Sequence, residues 1–149
     1  MFKRILVAVD ASPTGEHALQ TAIDLATASQ ARLRIVHAVD TANVNHGTAE
    51  LPGRPDMAES LVRNGQDILR GAEAAASAAG IAFESDLIRI DTLDQRLAEA
   101  IAHEAETWPA DLIVVGTHGR RGLSRLFLGS VAEGIARVAT RPVLLVRGK

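Results

Sequence analysis

Two kinds of pattern alternate along this chain: short stretches rich in apolar residues, and longer stretches in which apolar residues recur with helical spacing. Residues 5–9 are a short, continuous apolar run rich in β-branched residues, which is typical of a strand covered on both faces. The predicted strands are residues 5–9, 33–39, 81–90, 112–115 and 143–146. Four longer stretches repeat apolar residues every three or four positions, as one face of a helix does. These stretches are residues 16–29, 57–79, 93–107 and 130–139.

The order of the blocks predicts the fold. Strands and helices alternate strictly, which predicts parallel strands joined by right-handed crossovers, with helices on both faces of the sheet. The expected fold is therefore α/β, a doubly wound, Rossmann-like sandwich with a five-stranded parallel sheet. Residues 41–57 show neither the apolar stretches of strands nor the spacing of helices, and they predict a long loop. We expect residues 1–149 to form a single domain.

Composition and charge then exclude several classes of protein. The 149 residues include no cysteine, which excludes disulfides, thiolate metal sites and cysteine nucleophiles. The formal net charge is −2, so no basic excess indicates a nucleic-acid or membrane partner. Asp10 stops the first apolar run too early for a signal peptide, and no stretch approaches the ~20 apolar residues of a membrane span. We expect a cytoplasmic protein.

The topology predicts where a ligand would bind. In doubly wound sheets, ligands lie beyond the carboxyl ends of the strands, so the site should follow Val9, Val39 and Val115. The P-loop pattern is absent because no lysine precedes Ser130. The dinucleotide fingerprint is also absent from residues 10–15, and no G-x-S-x-G elbow is present. The sequence therefore offers no catalytic residues.

The segment after the fourth strand is rich in glycine. Two residues separate Gly116 from Gly119, nine separate Gly119 from Gly129, and Ser130 follows directly. Glycines let a ligand approach the backbone, and the start of a helix offers unpaired N–H groups to an anion. The Ser130 hydroxyl could cap the final helix or donate to a phosphate. Three cations share the segment, Arg120, Arg121 and Arg125. Phosphate binding is the favoured interpretation, and turn glycines with a helix cap are the alternative.

Single polar residues at this edge have alternatives of their own. Asp10 ends a buried strand, where it could contact a ligand or serve as the N-cap of the first helix. His118 could contact the ligand or support the loop. His37 lies within a strand and is interpreted as a core histidine, or as one that supports the residues in contact with the ligand without touching the ligand itself. The remaining histidines have no partner at metal-ligand spacing, so no protein metal site is expected.

Taken together, the chain resembles the universal stress protein family over nearly its whole length. The resemblance rests on residues 5–12, 36–40, 111–116 and 140–146. Its most specific part is the signature G-x2-G-x9-G-[ST], which Gly116, Gly119, Gly129 and Ser130 meet in full. The implied fold is that of the adenine nucleotide alpha hydrolase-like proteins.

The resemblance implies a ligand and assigns roles to residues. Members that keep the signature typically bind ATP, with Mg²⁺ or Mn²⁺ carried by the phosphates rather than by side chains. The expected adenosine contacts are Ala8, Val9 and Asp10, with Asp10 at the ribose and with Ala38 and Val115 flanking the adenine. The expected phosphate cradle is Gly116, His118, Gly119, Arg120, Gly129, Ser130 and Val131. The family is commonly dimeric through its last strand, here Val143 to Val146.

Three functions follow as hypotheses. The first is an ATP-dependent regulatory module in stress adaptation, with at most slow hydrolysis or autophosphorylation and a protein partner of unknown identity. The second is an adenine nucleotide hydrolase or a nucleotidyl-transfer enzyme. The third is a dimeric interaction scaffold in which the glycine segment binds nothing.

Overall fold

The computed structural model describes residues 1–42, 44, 54–118 and 128–148. Strands and helices alternate along this part of the chain. They are β1 (Arg4–Ala8), α1 (Pro13–Ser29), β2 (Arg32–Asp40), α2 (Pro55–Ala78), β3 (Phe83–Ile90), α3 (Leu97–Thr107), β4 (Leu112–Gly116), α4 (Ser130–Val138) and β5 (Val143–Val146). No helix among these described residues has the length and apolar character needed to cross a membrane.

The strands form one parallel sheet with β1 at its centre. The strand order is β3-β2-β1-β4-β5, and every neighbouring pair is parallel. The chain winds outward from β1 through β2 to β3, and then crosses back to add β4 and β5 on the other side. The direction of winding therefore reverses between β1 and β4, where such sheets open a crevice. The predicted doubly wound, five-stranded α/β fold is confirmed.

Each face of the sheet has its own apolar core. Helices α1 and α2 cover one face, where residues such as Ala22, Ile35 and Leu69 are buried together. Helices α3 and α4 cover the other face, over Leu6 and Ile113. Burial on both faces is the physical reason that the central strands β1 and β4 are nearly continuous apolar runs, whereas the edge strand β3 carries charged residues and is only partly buried.

The central strand is much shorter than its neighbour. β1 pairs with only the first half of β2, from Arg4 beside Arg32 to Ala8 beside Val36. β2 then continues to Asp40 with β3 alone at its side. Beyond Val36, the edge of β2 that faces β1 has therefore lost its strand partner.

A cluster of ion pairs links α3 to β2 and β3. The Arg34 guanidinium donates to Glu84 on β3 at 2.7 Å and also to Glu104 on α3. Burial raises the pKa of the nearby Asp86 above its usual value, and the Glu104 carboxylate raises it further. The Arg34 guanidinium also lies 6.0 Å from the centre of the Trp108 ring at the end of α3. These contacts fix α3 on the sheet.

One predicted boundary is wrong in an informative way. Periodicity predicts a helix from residue 93, whereas α3 begins at Leu97 after an extended Arg96 that has no side-chain cap. Leu93 is 61% exposed and has no core to enter, so its apolar character does not extend the helix. Most of the predicted loop 41–57 lies outside the described residues, and α2 starts at Pro55.

A carboxylate ties together the starts of two central strands. Asp111 Oδ2 accepts hydrogen bonds from the backbone N–H of Lys3 at 2.7 Å and of Arg4 at 2.9 Å. These bonds lower the pKa of Asp111 below its usual value. The folded chain thus binds a proton at this group less readily than the unfolded chain does, and stability rises with pH through this range.

We predict that Asp111→Asn flattens the acid limb of the stability profile. The carboxylate stabilises the fold above its unfolded pKa, and that contribution is lost as the pH falls through the lower, folded pKa. Urea unfolding from about pH 6 to about pH 3 should show a deficit for Asp111→Asn that shrinks with acid. The control is Asp94→Asn, which removes the same charge from an exposed position. A deficit independent of pH would contradict the prediction.

Two helical glycines should respond oppositely to the same substitution. A Cβ at Gly134 on α4 would lie 2.5 Å from the Ala98 side chain on α3, whereas a Cβ at Gly71 on α2 would meet open space. We expect Gly134→Ala to destabilise by about 1–3 kcal/mol through overpacking. Gly71→Ala should stabilise by about 0.5–1 kcal/mol. Thermal unfolding measures both, and equal effects would refute the close packing of α3 on α4.

Candidate functional site

A cavity of about 190 Å³ opens at the carboxyl edge of the sheet, where the winding reverses. Ten residues expected at the ligand site lie within the described chain, and all ten line this cavity: Ala8, Val9, Asp10, Ala38, Val115, Gly116, His118, Gly129, Ser130 and Val131. The other two, Gly119 and Arg120, lie outside the described residues, as do Arg121 and Arg125. The cavity lies at the edge of the sheet that the topology predicts, and the residues that the family resemblance implies lie together around it.

The turn from β1 to α1 presents a carboxylate held in one orientation. Asp10 Oδ1 accepts from the backbone N–H of Ser12 at 2.9 Å and from the Ser12 hydroxyl. The Ser12 hydroxyl oxygen in turn accepts from Gly15 N–H at 2.9 Å, which makes Ser12 the N-cap of α1. The alternative in which Asp10 itself caps the helix is wrong. Oδ2 of Asp10 accepts no hydrogen bond from the described part of the chain.

Gly15 is required by this arrangement. A Cβ at Gly15 would collide with Asp10 Oδ1 and would lie 3.1 Å from the Asp10 carbonyl oxygen. The first turn of α1 therefore approaches the carboxylate more closely than any other residue type would permit. Gly15 lines the cavity and was missed by the sequence analysis, because a glycine in a turn has no distinguishing signal by itself.

Gly116, at the end of β4, is also explained by packing. A Cβ there would lie 2.8 Å from Thr14 Cγ2 and 3.1 Å from the Thr14 carbonyl oxygen at the start of α1. The next residue, Thr117, is buried and donates its N–H to Val146 at 2.9 Å. The hydroxyl of Thr117 lies 3.0 Å from His118 Nδ1. Gly116 therefore lets α1 pack against the strand end beside the cavity.

The start of α4 forms the opposite wall. Gly129 is the N-cap, with φ −64°, and no side chain caps the helix. Ser130 is the first helical residue and is exposed, so the alternative in which its hydroxyl caps the helix is wrong. Gly129 N–H donates to the Thr117 carbonyl at 2.6 Å, which joins the two sides of the glycine-rich segment. Unpaired first-turn N–H groups at this wall carry the positive end of the helix dipole.

The free edge of β2 forms the base of the cavity. Backbone N–H groups in this strand alternate in direction: Arg32 donates toward β1, at Lys3, whereas Leu33 donates toward β3, at Ala82. By this alternation the N–H and C=O of Ala38 face the side where β1 has ended. No acceptor for the Ala38 N–H lies among the described residues, and Ala38 lines the cavity.

Helix α3 supplies an apolar wall. Leu97 and Ile101 line the cavity, one turn apart on the helix. The sequence pattern places both on one apolar face, but it does not show that part of this face covers a cavity as well as the core. Thr117, Ala132 and His37 complete the lining. No group of three potential metal ligands occurs within residues 1–42, 44, 54–118 and 128–148.

Comparison with known proteins shows the family. The model of the universal stress protein family matches residues 1–147. The chain belongs to the universal stress protein family. A universal stress protein of Thermus aquaticus is 37% identical over 147 residues, covering 99% of this chain and 100% of the relative.

Solved structures of universal stress proteins are similar to this chain along its length. One from Burkholderia pseudomallei is 32% identical, with a TM-score of 0.77 and with 97% of this chain and 95% of that chain covered. A universal stress protein solved in complex with cAMP is 28% identical, with a TM-score of 0.72 and 99% of each chain covered.

We predict that Ser12→Ala disturbs the turn as well as the helix. The substitution removes the N-cap of α1 and leaves the Gly15 N–H without its acceptor, so we expect a loss of about 1–2 kcal/mol. Ser60→Ala is the control, since that exposed hydroxyl caps no helix: it donates to the Asp56 carbonyl one turn earlier in α2 and accepts from the exposed Arg63 side chain. Urea unfolding of the two variants measures the difference. Equal stabilities would refute the capping role of Ser12.

Proposed function

We propose that this universal stress protein binds ATP, with Mg²⁺ or Mn²⁺ carried on the phosphates, and acts as a nucleotide-dependent regulatory module in the cytoplasm. The observation that carries the proposal is the convergence of the expected contacts on one cavity at the switch point of the sheet. The relative solved with cAMP supports an adenine nucleotide as the ligand class.

The base would bind at the free edge of β2. Adenine offers an acceptor, N1, beside a donor, the N6 amino group. The Ala38 backbone offers a donor beside an acceptor on the edge that faces the cavity. Guanine reverses this pattern, with N1–H beside O6, so the same backbone would reject it. The apolar side chains of Leu97, Ile101 and Val115 would cover the faces of the ring.

The sugar and the phosphates would follow toward α4. Asp10 Oδ1 is held by Ser12, which leaves Oδ2 to accept hydrogen bonds from the ribose. The cavity is smaller than the 300–1,000 Å³ of common ligand sites, so the phosphates would lie at its mouth. There the first-turn N–H groups of α4 would bind them. Gly119 and Arg120 are proposed to complete this cradle.

The expected catalysis is slow at most. Among the described residues that line the cavity, one hydroxyl–imidazole contact joins Thr117 to His118 Nδ1 at 3.0 Å. Thr117 is buried, so we assign it no nucleophilic role, and positioning with a metal ion gives the remaining route to hydrolysis. A regulatory module therefore fits better than a dedicated nucleotide hydrolase or transferase. Turnover faster than about one per second, within the usual enzyme range, would favour the enzyme instead.

One observation favours a second candidate, the dimeric scaffold. β5 is an edge strand of the sheet, and its apolar residues Val143, Leu144 and Leu145 are only half-buried. An apolar edge invites pairing with another strand. We propose that two copies pair through Val143–Val146, which is compatible with nucleotide binding. The scaffold replaces the regulatory module only if the dimer forms and no nucleotide binds.

The test is a charge placed at the proposed phosphate position. Ser130→Glu puts a carboxylate in the exposed first turn of α4, where acidic residues favour the helix, so folding should be retained. We expect ATP affinity to fall at least tenfold, because the carboxylate would repel the phosphates. Calorimetry with ATP, ADP, AMP and cAMP, with and without magnesium, on protein stripped of nucleotide measures this loss.

Ala136→Glu is the matched control. It adds the same charge to an exposed position on the same helix, and Ala136 does not line the cavity. The control should keep wild-type affinity. Wild-type protein that binds none of the four nucleotides would overturn the proposed function. Equal affinity losses in both variants would overturn the proposed phosphate position.

A further inference from the structure

The His37 side chain donates to a backbone carbonyl that a backbone N–H would bind in a regular parallel ladder. The Val9 N–H donates to the Val36 carbonyl at 2.9 Å, which is the last rung between the β1 segment and β2. In a continued parallel ladder, the Val9 carbonyl would next accept from the Ala38 N–H. It accepts instead from His37 Nδ1, at 2.7 Å. The imidazole therefore ends the ladder by satisfying its next acceptor.

The neighbouring helix leaves room for this imidazole. A Cβ at Gly65 on α2 would lie 3.0 Å from His37 Cδ2 and 2.8 Å from Leu87 Cδ1. Any larger residue at this position would press on the ring that bonds to Val9. His37 itself lines the cavity beside Ala38. The ring thus bonds to the Val9 carbonyl through Nδ1, while its Cδ2 lies close to α2.

We propose that His37 is a positioning residue that keeps the Ala38 N–H available to the base of a bound nucleotide. By occupying the Val9 carbonyl, it prevents the ladder from closing over the edge of β2. It also holds the backbone that leads into Asp10, so the base and ribose contacts share one support. This role rests on the proposed nucleotide site. That His37 replaces the Ala38 N–H as the donor to the Val9 carbonyl can be tested without any ligand.

The first test is amide hydrogen exchange in the free protein. His37→Leu removes the donor, so the Val9 carbonyl should accept from Ala38 and the Ala38 amide should exchange at least tenfold more slowly than in the wild type. His37→Asn keeps an N–H donor at the position of Nδ1 and should leave this exchange within threefold of wild type. His103→Leu, the same change at an exposed histidine on α3, should leave it unchanged.

The second measurement needs no variant. Long-range ¹H–¹⁵N spectra of the wild type should show His37 with a proton on Nδ1, since only a protonated nitrogen donates to a carbonyl. A neutral ring protonated on Nε2 would overturn the proposal, even if His37→Leu failed to fold. Unchanged Ala38 exchange in folded His37→Leu would overturn it as well.

Calorimetry with ATP then connects the hydrogen bond to binding. His37→Leu should bind ATP at least tenfold more weakly, and His37→Asn should stay within threefold of wild type. Equal losses in both variants would overturn the positioning role. If the wild type binds no adenine nucleotide, the proposed function fails, and exchange at Ala38 still decides whether His37 ends the ladder.

Discussion

The site exists because the central strand stops early. β1 ends at Ala8, opposite Val36, while β2 continues to Asp40 with β3 alone beside it. Every buried backbone N–H and C=O needs a hydrogen-bond partner. Because β1 ends early, the backbone groups beyond Val36 on this edge of β2, and those that follow β1, need partners other than a strand. His37 is the partner at Val9, and the Asp10–Ser12 turn supplies partners at the start of α1. The Ala38 N–H, which has no acceptor among the described residues, is the group that we propose for the ligand.

The fold was predictable because its signals are long and mutually consistent. Five predicted strands alternate with amphipathic helices, and a parallel sheet covered on both sides accommodates that order. The cavity followed from the same logic, since the carboxyl ends of β1, β2 and β4 must meet. Hydrogen-bond roles were less predictable, because they depend on where each element begins. Ser12 rather than Asp10 caps α1, and Ser130 falls one residue inside α4.

Glycines show why a motif and its physical cause must be separated. From the signature spacing, Gly116 is predicted to let a ligand approach the backbone. In the structure, a Cβ at this position would collide with Thr14, so packing also requires glycine there. Gly15, outside the signature, is required by the Asp10 carboxylate. Both glycines line the cavity, so close packing and open access are produced together. A sequence pattern alone cannot divide these causes, because each depends on contacts from residues far away in the chain.

The two halves of the site are built with different support. The proposed base side rests on β2, which pairs with β3 from Leu33 to Asp40. Arg34 links β2 to α3, and α3 also carries Leu97 and Ile101. The proposed phosphate side rests on the start of α4, which the hydrogen bond from Gly129 N–H to the Thr117 carbonyl joins to the end of β4. Preorganised contacts lose less conformational entropy on binding. The base side should therefore contribute most of the selectivity, while the phosphate side adds charge attraction that falls as salt rises.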